Sequence, residues 1–344
     1  MNETRWQEPL RTGEVLQVVR TEAPAADWAQ PLEEFMYLRE STYTNCAWHR
    51  QAKRTLTGEF AAVARDVFFA GLLDGEIVGT TWYVTPTDTG EVATFGRVLT
   101  RADQRRKGIS TILCRVAVED FRACGGWCMH LGTDLTNPAR FIYERQGFRH
   151  YNFMPGGATI MRNVLRGAAE SFEHEYFEPG WPTSLRPLHW GDWPRAEVLY
   201  NLPCCFLKDY SLGVYANTPF EGQFLDLMTG LECNAARGWV LTTEQGRLVG
   251  LAYPATTNAG AAVQAHLRTV EFVVHPSYAE KAPELLAAVM ADAEDLRLAA
   301  YASALDVTRC EALEEAGFEK EATLIGWLQD GEDEFDLYVY SYGG

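Results

Sequence analysis

A basic segment that contains a glycine lies between an apolar run and a helical run in the first half of the chain. Residues 105–110 read Arg-Arg-Lys-Gly-Ile-Ser; they follow the strand-like residues 92–100 and open a helical pattern over residues 109–121. Unpaired backbone N–H groups and the positive end of the helix dipole converge at such a helix N-terminus. The segment therefore indicates a phosphate-bearing ligand. Short basic turns with a glycine are also common, so an exposed basic turn is the alternative.

A second segment whose residue types could bind a ligand or take part in a reaction covers residues 137–148. It predicts a short helix with Pro138 in its first turn, a stop at Gly147, and then a new strand. Asn137 is a favoured N-cap residue, and its side chain is also suited to bind the amide groups of a ligand. Tyr143 either packs on the sheet or supplies a phenol to a site.

Together the two segments resemble the GNAT acetyltransferase superfamily. The acetyl-CoA loop of that family reads R/Q-x-x-G-x-G/A, and the later motif reads roughly N-x-x-A-x-x-x-Y-x-x-x-G-F. The order and separation of the two blocks also agree with the family. Ser110 stands where the family usually has Gly or Ala. The matching residues are Arg105, Gly108 and Ser110 in the loop, and Asn137, Tyr143, Gly147 and Phe148 in the later motif.

The resemblance implies acetyl transfer from acetyl-CoA to an amine. It places the diphosphate on the amides of residues 106–111, and it places the Val98 N–H on the thioester oxygen, where charge develops. It makes Tyr143 the acid that protonates the leaving thiolate. The residues expected to bind the cofactor are Val98, Thr100, Arg105, Arg106, Lys107, Gly108, Ile109, Ser110, Thr111 and Asn137.

The general base is less well specified. Some relatives carry a Glu on the strand before the loop, but the corresponding residue here is Thr94, which cannot serve as a base. Glu91 would face the opposite side of a regular strand. His130, on the following strand, has an ordinary pKa suited to the task, and we take it as the candidate base beside Tyr143. A structural role for His130 and water-mediated deprotonation are the alternatives. We expect no metal, although Cys128 and His130 are spaced closely enough to ligate one.

Composition bounds the class of protein. A length of 344 residues suits two domains, and a net charge of −17 argues against binding to nucleic acid or anionic membranes. No apolar run reaches transmembrane length, and the N-terminus has no signal-peptide core. The eight cysteines include no Cys-x-x-Cys pair. These features predict a cytoplasmic monomer or homodimer with reduced thiols.

The order of predicted elements indicates an α+β fold with two tandem GNAT-like domains, each a mixed, mostly antiparallel sheet flanked by helices. We expect the acetyltransferase domain at residues 1–164, a linker rich in Glu, Pro and Gly at 165–182, and a degenerate GNAT-like domain at 183–344. The turn at Gln245-Gly246 matches that at Asp74-Gly75, and Gly317-Phe318 matches Gly147-Phe148.

The second half lacks the features that bind the cofactor. Ala282 aligns with Gly108, Glu284 with Ser110, and Pro283, which has no N–H to donate, with Ile109. Leu313 aligns with Tyr143. We therefore predict that this half does not bind CoA and instead completes the acceptor pocket or supports the first half. An independent site with an unusual loop is the alternative.

The sequence favours an acetyl-CoA-dependent N-acetyltransferase that acts on a small amine. Its acceptor would be held by residues 37–60, whose aromatic side chains include Tyr43, Trp48 and His49. Ordinary packing of a helical lid also accounts for those aromatics. A transferase for protein or peptide amines and a non-catalytic CoA-binding protein are the other readings.

Overall fold

The computed structural model describes residues 3–39, 46–153, 157–203, 220–255, 266–293, 295–330 and 332–343. The chain divides into two compact units. One comprises Met1–Phe172 with His189–Glu197, and the other comprises Glu173–Leu188 with Val198–Gly344. Within the described ranges, no helix is long and apolar enough to cross a membrane. Tyr43, Cys204 and Cys205 lie outside the described residues, as do the side chains of Trp48 and His49.

The first unit is built on an eight-stranded sheet with the order β1-β2-β3-β4-β5-β6-β8-β7. Neighbouring strands are antiparallel except for the parallel pair β5 and β6. The strands are β1 (Glu3–Pro9), β2 (Val15–Glu22), β3 (Ala64–Leu73), β4 (Glu76–Pro86), β5 (Val92–Thr100), β6 (Cys128–Asp134), β7 (Arg149–Phe153) and β8 (Ala158–Val164). The helices are α1 (Ala26–Glu33), which continues as a π-helical segment Glu34–Arg39, then α2 (Cys46–Leu56), α3 (Ile109–Ala123) and α4 (Arg140–Arg145).

Helix α3 covers one face of this sheet. Its buried residues recur every three or four positions and pack on inward-facing residues of β2 to β6. Burying such apolar side chains stabilises the unit by roughly 25 cal/mol per Å² removed from water. The β3–β4 hairpin turns at Asp74 and Gly75, whose φ angles of 51° and 81° are those that a tight hairpin turn requires.

The opposite face of the sheet is covered in part by residues 189–197, although they follow β8 by some distance in the chain. The Trp193 ring packs on that of Trp82 with 5.5 Å between centroids, and Trp190 stacks on Phe60 at 4.5 Å. Gly191 lies against the backbone of Val63, and only a residue without a Cβ fits there.

The second unit has a seven-stranded sheet with the order β14-β15-β13-β12-β11-β10-β9, in which the parallel pair is β12 and β13. The strands are β9 (Thr183–Pro187), β10 (Trp239–Thr243), β11 (Leu248–Ala255), β12 (Leu267–Val274), β13 (Arg297–Ser303), β14 (Glu319–Asp330) and β15 (Asp333–Tyr342). The remaining helices of the chain are α5 (Phe172–Tyr176), α6 (Trp193–Tyr200), α7 (Phe220–Cys233), α8 (Ala282–Ala291) and α9 (Val307–Glu315).

The expectation of two α+β units, each with a mixed and mostly antiparallel sheet, is confirmed. Three local features were not predicted from the sequence. Residues 57–63 form turns after α2, the polar strand β1 adds an edge to the first sheet, and the last two strands form a long hairpin. Polar alternation on an edge strand leaves little hydrophobic signal to detect. Whether residues 165–182 act as a linker stays a prediction.

Gly191→Ala tests whether residues 189–197 are an integral part of the first unit. An added Cβ would lie 2.1 Å from the Val63 carbonyl oxygen, so the backbone must shift. We expect a loss of about 1–3 kcal/mol in the free energy of unfolding, measured by urea denaturation followed by tryptophan fluorescence. Gly230→Ala in α7 is the matched control, because an added Cβ there meets nothing within 4 Å. Equal stabilities for the two variants would contradict the assignment.

Candidate functional site

The parallel pair β5 and β6 is hydrogen-bonded over a short length and then opens. Val92 to Thr94 of β5 pair with Cys128 to His130 of β6, and the pairing of these two strands stops after Thr94. Strand β6 pairs with β8 along its whole length. A β-bulge interrupts the pairing of β4 with β5, because Thr80 lies opposite Leu99 and Trp82 lies opposite Gly96. Bulges bend a strand and increase its twist. Beyond Thr94 the backbone of β5 therefore faces an opening in the sheet.

Arg97 is the residue at which β5 bends. Its φ of 54° is left-handed, a conformation that costs a non-glycine residue ~1–2 kcal/mol. The next residue is Val98, which the sequence predicts to bind the thioester oxygen. Val98 is half-buried, and its backbone lies on the part of β5 that no longer pairs with β6.

The N-terminus of α3 follows directly from the end of β5. Gly108 caps the helix with a left-handed φ of 95°, and Arg106 is left-handed as well, with φ 69°. The first intrahelical bond runs from the Ile112 N–H to the Gly108 carbonyl at 3.1 Å. The amides of Ile109, Ser110 and Thr111 therefore precede the helical ladder, as expected for an anion site.

Basic side chains surround this helix terminus. Arg105 and Arg106 are exposed, and Arg105 Nε donates to the Thr100 carbonyl at 3.3 Å. Lys107 Nζ forms a 2.7 Å ion pair with Glu14, which lowers the pKa of that carboxyl. Because the pair is partly exposed, it is weak, and a phosphate competes with it readily. The predicted residues Thr100 and Ser110 are brought together by a hydrogen bond between their hydroxyls.

Arg11 is a basic residue at this site that the sequence motif does not reveal. A Cβ placed on Gly108 would lie 3.6 Å from Arg11 Nε, so the guanidinium borders the loop. Arg11 follows the edge strand β1, and no local pattern connects it to residues 105–110.

Of the later motif, Asn137 lies just before α4 and Tyr143 lies within it. Asn137 Oδ1 accepts a hydrogen bond from the Ala139 N–H at 3.0 Å in the turn ahead of α4, whose N-cap is Ala139. Tyr143 is buried in the core, with its ring edge-on to Phe95 at 6.1 Å and to Phe148 at 6.2 Å. These contacts hold the ring beside β5, and Phe95 is the first residue of β5 beyond its pairing with β6. A catalytic role for Tyr143 stays a prediction.

His130 is 2% exposed on β6, next to the aromatic rings of Tyr151 and Phe172. Burial, together with the charge of Arg162, lowers the pKa of His130 to about 3. A deeply buried imidazole with so low a pKa is a weak base, which favours the structural alternative. Cys128 Sγ lies 3.9 Å from His130 Nδ1, and no group of three metal-ligating side chains occurs in the described part of the chain.

A buried polar cluster lies on the face of the sheet opposite α3. Asp66 accepts a hydrogen bond from the Trp82 indole at 2.7 Å, and the guanidinium of Arg97 lies 4.7 Å from the centre of the Trp82 ring. Arg97 also donates to the Tyr37 hydroxyl at 3.0 Å and to Gln51. Tyr37 and Gln51 belong to residues 37–60, the segment predicted to hold the acceptor.

The second unit repeats the framework of the first. The Arg101 N–H donates to the Val78 carbonyl at 2.9 Å, and the His275 N–H donates to the Val249 carbonyl at 2.8 Å. Strands β12 and β13 also part after three residue pairs. Ala282, Pro283 and Glu284 form the start of α8, which supports the alignment of this turn with Gly108 to Ser110.

An arginine bridges the opening in the second unit. Arg309 donates to the Phe272 carbonyl on β12 at 2.6 Å, to the Tyr301 carbonyl on β13 at 2.7 Å, and to Glu271 at 3.0 Å. Arg309 is 5% exposed. Its guanidinium therefore takes the backbone acceptors that a ligand between the parted strands would need. Aligning the Gly-Phe pairs puts the small residue Ala139 at this place in the first unit.

Comparison with known protein families gives a match to one part of the chain. Residues 26–148 match the model of the acetyltransferase (GNAT) family. A search of curated proteins found no match.

Solved structures of acetyltransferases align with about half of the chain. An N-acetyltransferase from Staphylococcus aureus Mu50 shares 17% identity and a TM-score of 0.39 over 47% of this chain and 98% of its own. The putative acetyltransferase yncA from Salmonella typhimurium was solved with its cofactor acetyl-CoA. It shares 14% sequence identity and a TM-score of 0.41 over 47% of this chain and 93% of its own. A phosphinothricin acetyltransferase from Sinorhizobium meliloti in complex with AcCoA shares 16% sequence identity and a TM-score of 0.41 over 46% of this chain and 87% of its own.

Asp66 makes stability depend on pH. Burial raises its pKa to about 7, although the Trp82 hydrogen bond and the Arg97 charge oppose the shift. The folded state therefore favours the protonated carboxyl, and ionisation destabilises it progressively as the pH rises from about 4 to 7. Asp66→Asn keeps an acceptor for Trp82 and carries no charge. We expect its advantage over the parent protein to grow by about 2 kcal/mol between pH 5.5 and 8, as measured by urea unfolding.

Asp103→Asn is the control, because hydrogen bonds from Arg101 and Gln104 lower the pKa of that exposed carboxyl. It should show no gain as the pH rises. An Asp66→Asn curve parallel to that of the parent protein would contradict the burial of a neutral Asp66.

Proposed function

Because residues 26–148 of this chain match the model of the acetyltransferase (GNAT) family, we propose that the protein is an acetyl-CoA-dependent N-acetyltransferase acting on the amine of a small molecule. The donor is acetyl-CoA, and transfer is direct. The first unit is the catalytic one, and the second does not bind CoA.

The observation that carries this proposal is the continuity of two features in the first unit. β5 parts from β6 after Thr94, and six residues further on it ends at Thr100, ahead of the left-handed cap Gly108. An extended molecule with amide groups along its length and a diphosphate at one end suits this geometry. Its amides pair with the free edge of β5, and its diphosphate takes the amides of residues 106–111. Acetyl-CoA has both parts.

In the proposed reaction, backbone and side chains share the work. The Val98 N–H stabilises the oxyanion as the neutral amine attacks the thioester carbon, and Tyr143 gives its proton to the departing thiolate. Arg105, Arg106 and Lys107 balance the phosphate charge, with Arg11 beside them. The acidic chain, with a net charge of −17, suits an amine-bearing acceptor.

The second unit is proposed to be degenerate because backbone carbonyls between its parted strands already accept hydrogen bonds from a side chain of the protein. Arg309 bonds to both parted strands, and the helix at the end of the opening begins with Pro283, which has no N–H, and with the carboxylate of Glu284. Both features oppose a diphosphate. A cytoplasmic location and the oligomeric state stay predictions.

A thiol-release assay with acetyl-CoA and a panel of amines tests the activity. The panel contains amino acid derivatives, polyamines, aminoglycoside-type amines and lysine peptides. Turnover with a small amine supports the proposal, and turnover with the peptides alone supports a protein acetyltransferase. Tight acetyl-CoA binding without turnover would favour a non-catalytic CoA-binding protein.

Ser110→Glu tests the phosphate site by giving the first loop the residue that the second one has. A carboxylate at the head of α3 repels the diphosphate, and we expect acetyl-CoA affinity to fall at least tenfold, or about 1.4 kcal/mol, by calorimetry. The matched control is Glu284→Ser in α8, which should leave one acetyl-CoA bound per chain. Two molecules bound to the parent protein would contradict the degenerate role of the second unit.

Tyr143→Phe tests the proposed acid. The ring contacts with Phe95 and Phe148 survive the change, so the fold and acetyl-CoA affinity should be retained. We expect kcat to fall at least tenfold, since general acid catalysis typically contributes a factor of 10² or more. An unchanged kcat would remove Tyr143 from the mechanism.

A further inference from the structure

Glu197 contributes a deeply buried carboxylate beside β5 that has no assigned role. It is 2% exposed on the face of the sheet opposite α3. Its Oε2 accepts a hydrogen bond from the Thr94 hydroxyl at 2.7 Å, and its Oε1 accepts one from the Trp193 indole at 3.1 Å. A buried carboxylate is costly even when hydrogen-bonded, so packing alone gives little reason to keep one here.

Thr94 marks the point where the sheet opens. It is the last residue of β5 that pairs with β6, where it lies opposite His130, and it is fully buried. Its hydroxyl hydrogen is committed to Glu197. In the part of the chain that the structure describes, no group donates to Thr94 Oγ1. The hydroxyl can therefore receive a proton on one side and release its own to the carboxylate on the other.

The helix that carries Glu197 is anchored to the first unit by packing. Trp193, which is 1% exposed, lies on Trp82 and donates to Glu197 one turn later in α6. Arg195 lies between them in sequence and pairs with Asp192 and Asp88. These contacts fix the first part of α6 and aim Glu197 at Thr94.

We propose that Glu197 is the proton acceptor of the first unit and that it acts through Thr94. This inference rests on the proposed acetyl transfer. The acceptor's ammonium loses one proton, through water in the opening, to Thr94 Oγ1, which passes its own proton to the Glu197 carboxylate. Val98 lies four residues along β5, at most ~13 Å away, so water must span part of the gap.

The step balances without any further reactant. The neutral amine attacks the thioester carbon, the carbon–sulfur bond breaks, and the thiolate takes the proton that Tyr143 gives up. Tyr143 recovers its proton from the new amide nitrogen, and Glu197 releases its proton to solvent. The products are an N-acetyl amide, CoA thiol and one proton.

Other buried ionisable groups lie on the same face of the sheet as Glu197. They are Asp66 on β3, Arg97 on β5, His130 on β6, and Asp192 and Arg195 in residues 189–197. Asp66 is bound to Trp82, Asp192 is paired with Arg195, and Arg97 is a cation. Among these described groups, Glu197 is the carboxylate hydrogen-bonded to a β5 side chain.

Glu197→Gln in the full chain tests the proposal, because glutamine keeps an acceptor for hydrogen bonding and loses the basic group. We expect kcat/KM at pH 7 to fall by about 10² or more, acetyl-CoA affinity to stay within twofold, and the loss to shrink as the pH rises and free amine becomes available. Thr94→Val should reproduce the defect, and Thr94→Ser should restore most of the activity.

The outcomes separate this inference from the proposed function. Turnover and a pH profile like the parent's in Glu197→Gln would overturn the inference and leave the acetyltransferase standing. Loss of acetyl-CoA affinity together with a lower melting temperature would assign Glu197 a structural role and also overturn it. A parent protein that binds acetyl-CoA and acetylates no amine would overturn both. Trp190→Phe is the control for packing of residues 189–197, because the Trp190 ring stacks on Phe60: it should lower the melting temperature and leave the acidic limb of the profile in place.

Discussion

The early parting of β5 from β6 is the constraint on which the rest of the first unit depends. A sheet normally satisfies every backbone donor and acceptor of its inner strands, but here the ladder between these two strands ends after three pairs. The bulge at Arg97 bends β5 away, while β6 remains bound to β8. The exposed edge of β5 then leads to the amides at the start of α3, so one continuous row of backbone groups is available to a ligand. The backbone supplies this row of hydrogen-bonding groups, and the surrounding side chains add charge and shape to it.

Residues 189–197 pack on the other face of the same strands and supply hydrogen-bond partners to polar groups buried there. Polar groups there are buried, and two of the carboxyl groups each accept a hydrogen bond from a tryptophan: Asp66 from Trp82, and Glu197 from Trp193. An indole offers a large apolar body and one N–H donor, so it can fill a core and satisfy a carboxylate at once. The two rings pack on each other, and this contact links the two carboxylates into a single cluster.

Local chemistry made much of the fold predictable. The Asp-Gly turn between β3 and β4, the glycine cap of α3 and the Gly-Phe pairs that end α4 and α9 all act within a few residues of the chain. Long-range contacts carried no such signal. Glu197 reaches Thr94 across 103 positions, and Arg11 reaches Gly108 from beyond the edge strand. Arg97 was also hidden, because arginine rarely takes a left-handed conformation and the bulge that demands it arises from pairing with β4.

The hydrogen bonds of the Arg309 guanidinium distinguish the source of stability in the second unit from that in the first. A gap between two strands exposes carbonyls that must find donors, and in the second unit a side chain encoded in the same polypeptide supplies them. The aligned residue of the first unit is Ala139, whose methyl side chain has no hydrogen-bond donor to offer the parted strands. Under the proposed function, acetyl-CoA bound between those strands would add to the free energy of unfolding of the first unit as the acetyl-CoA concentration rises.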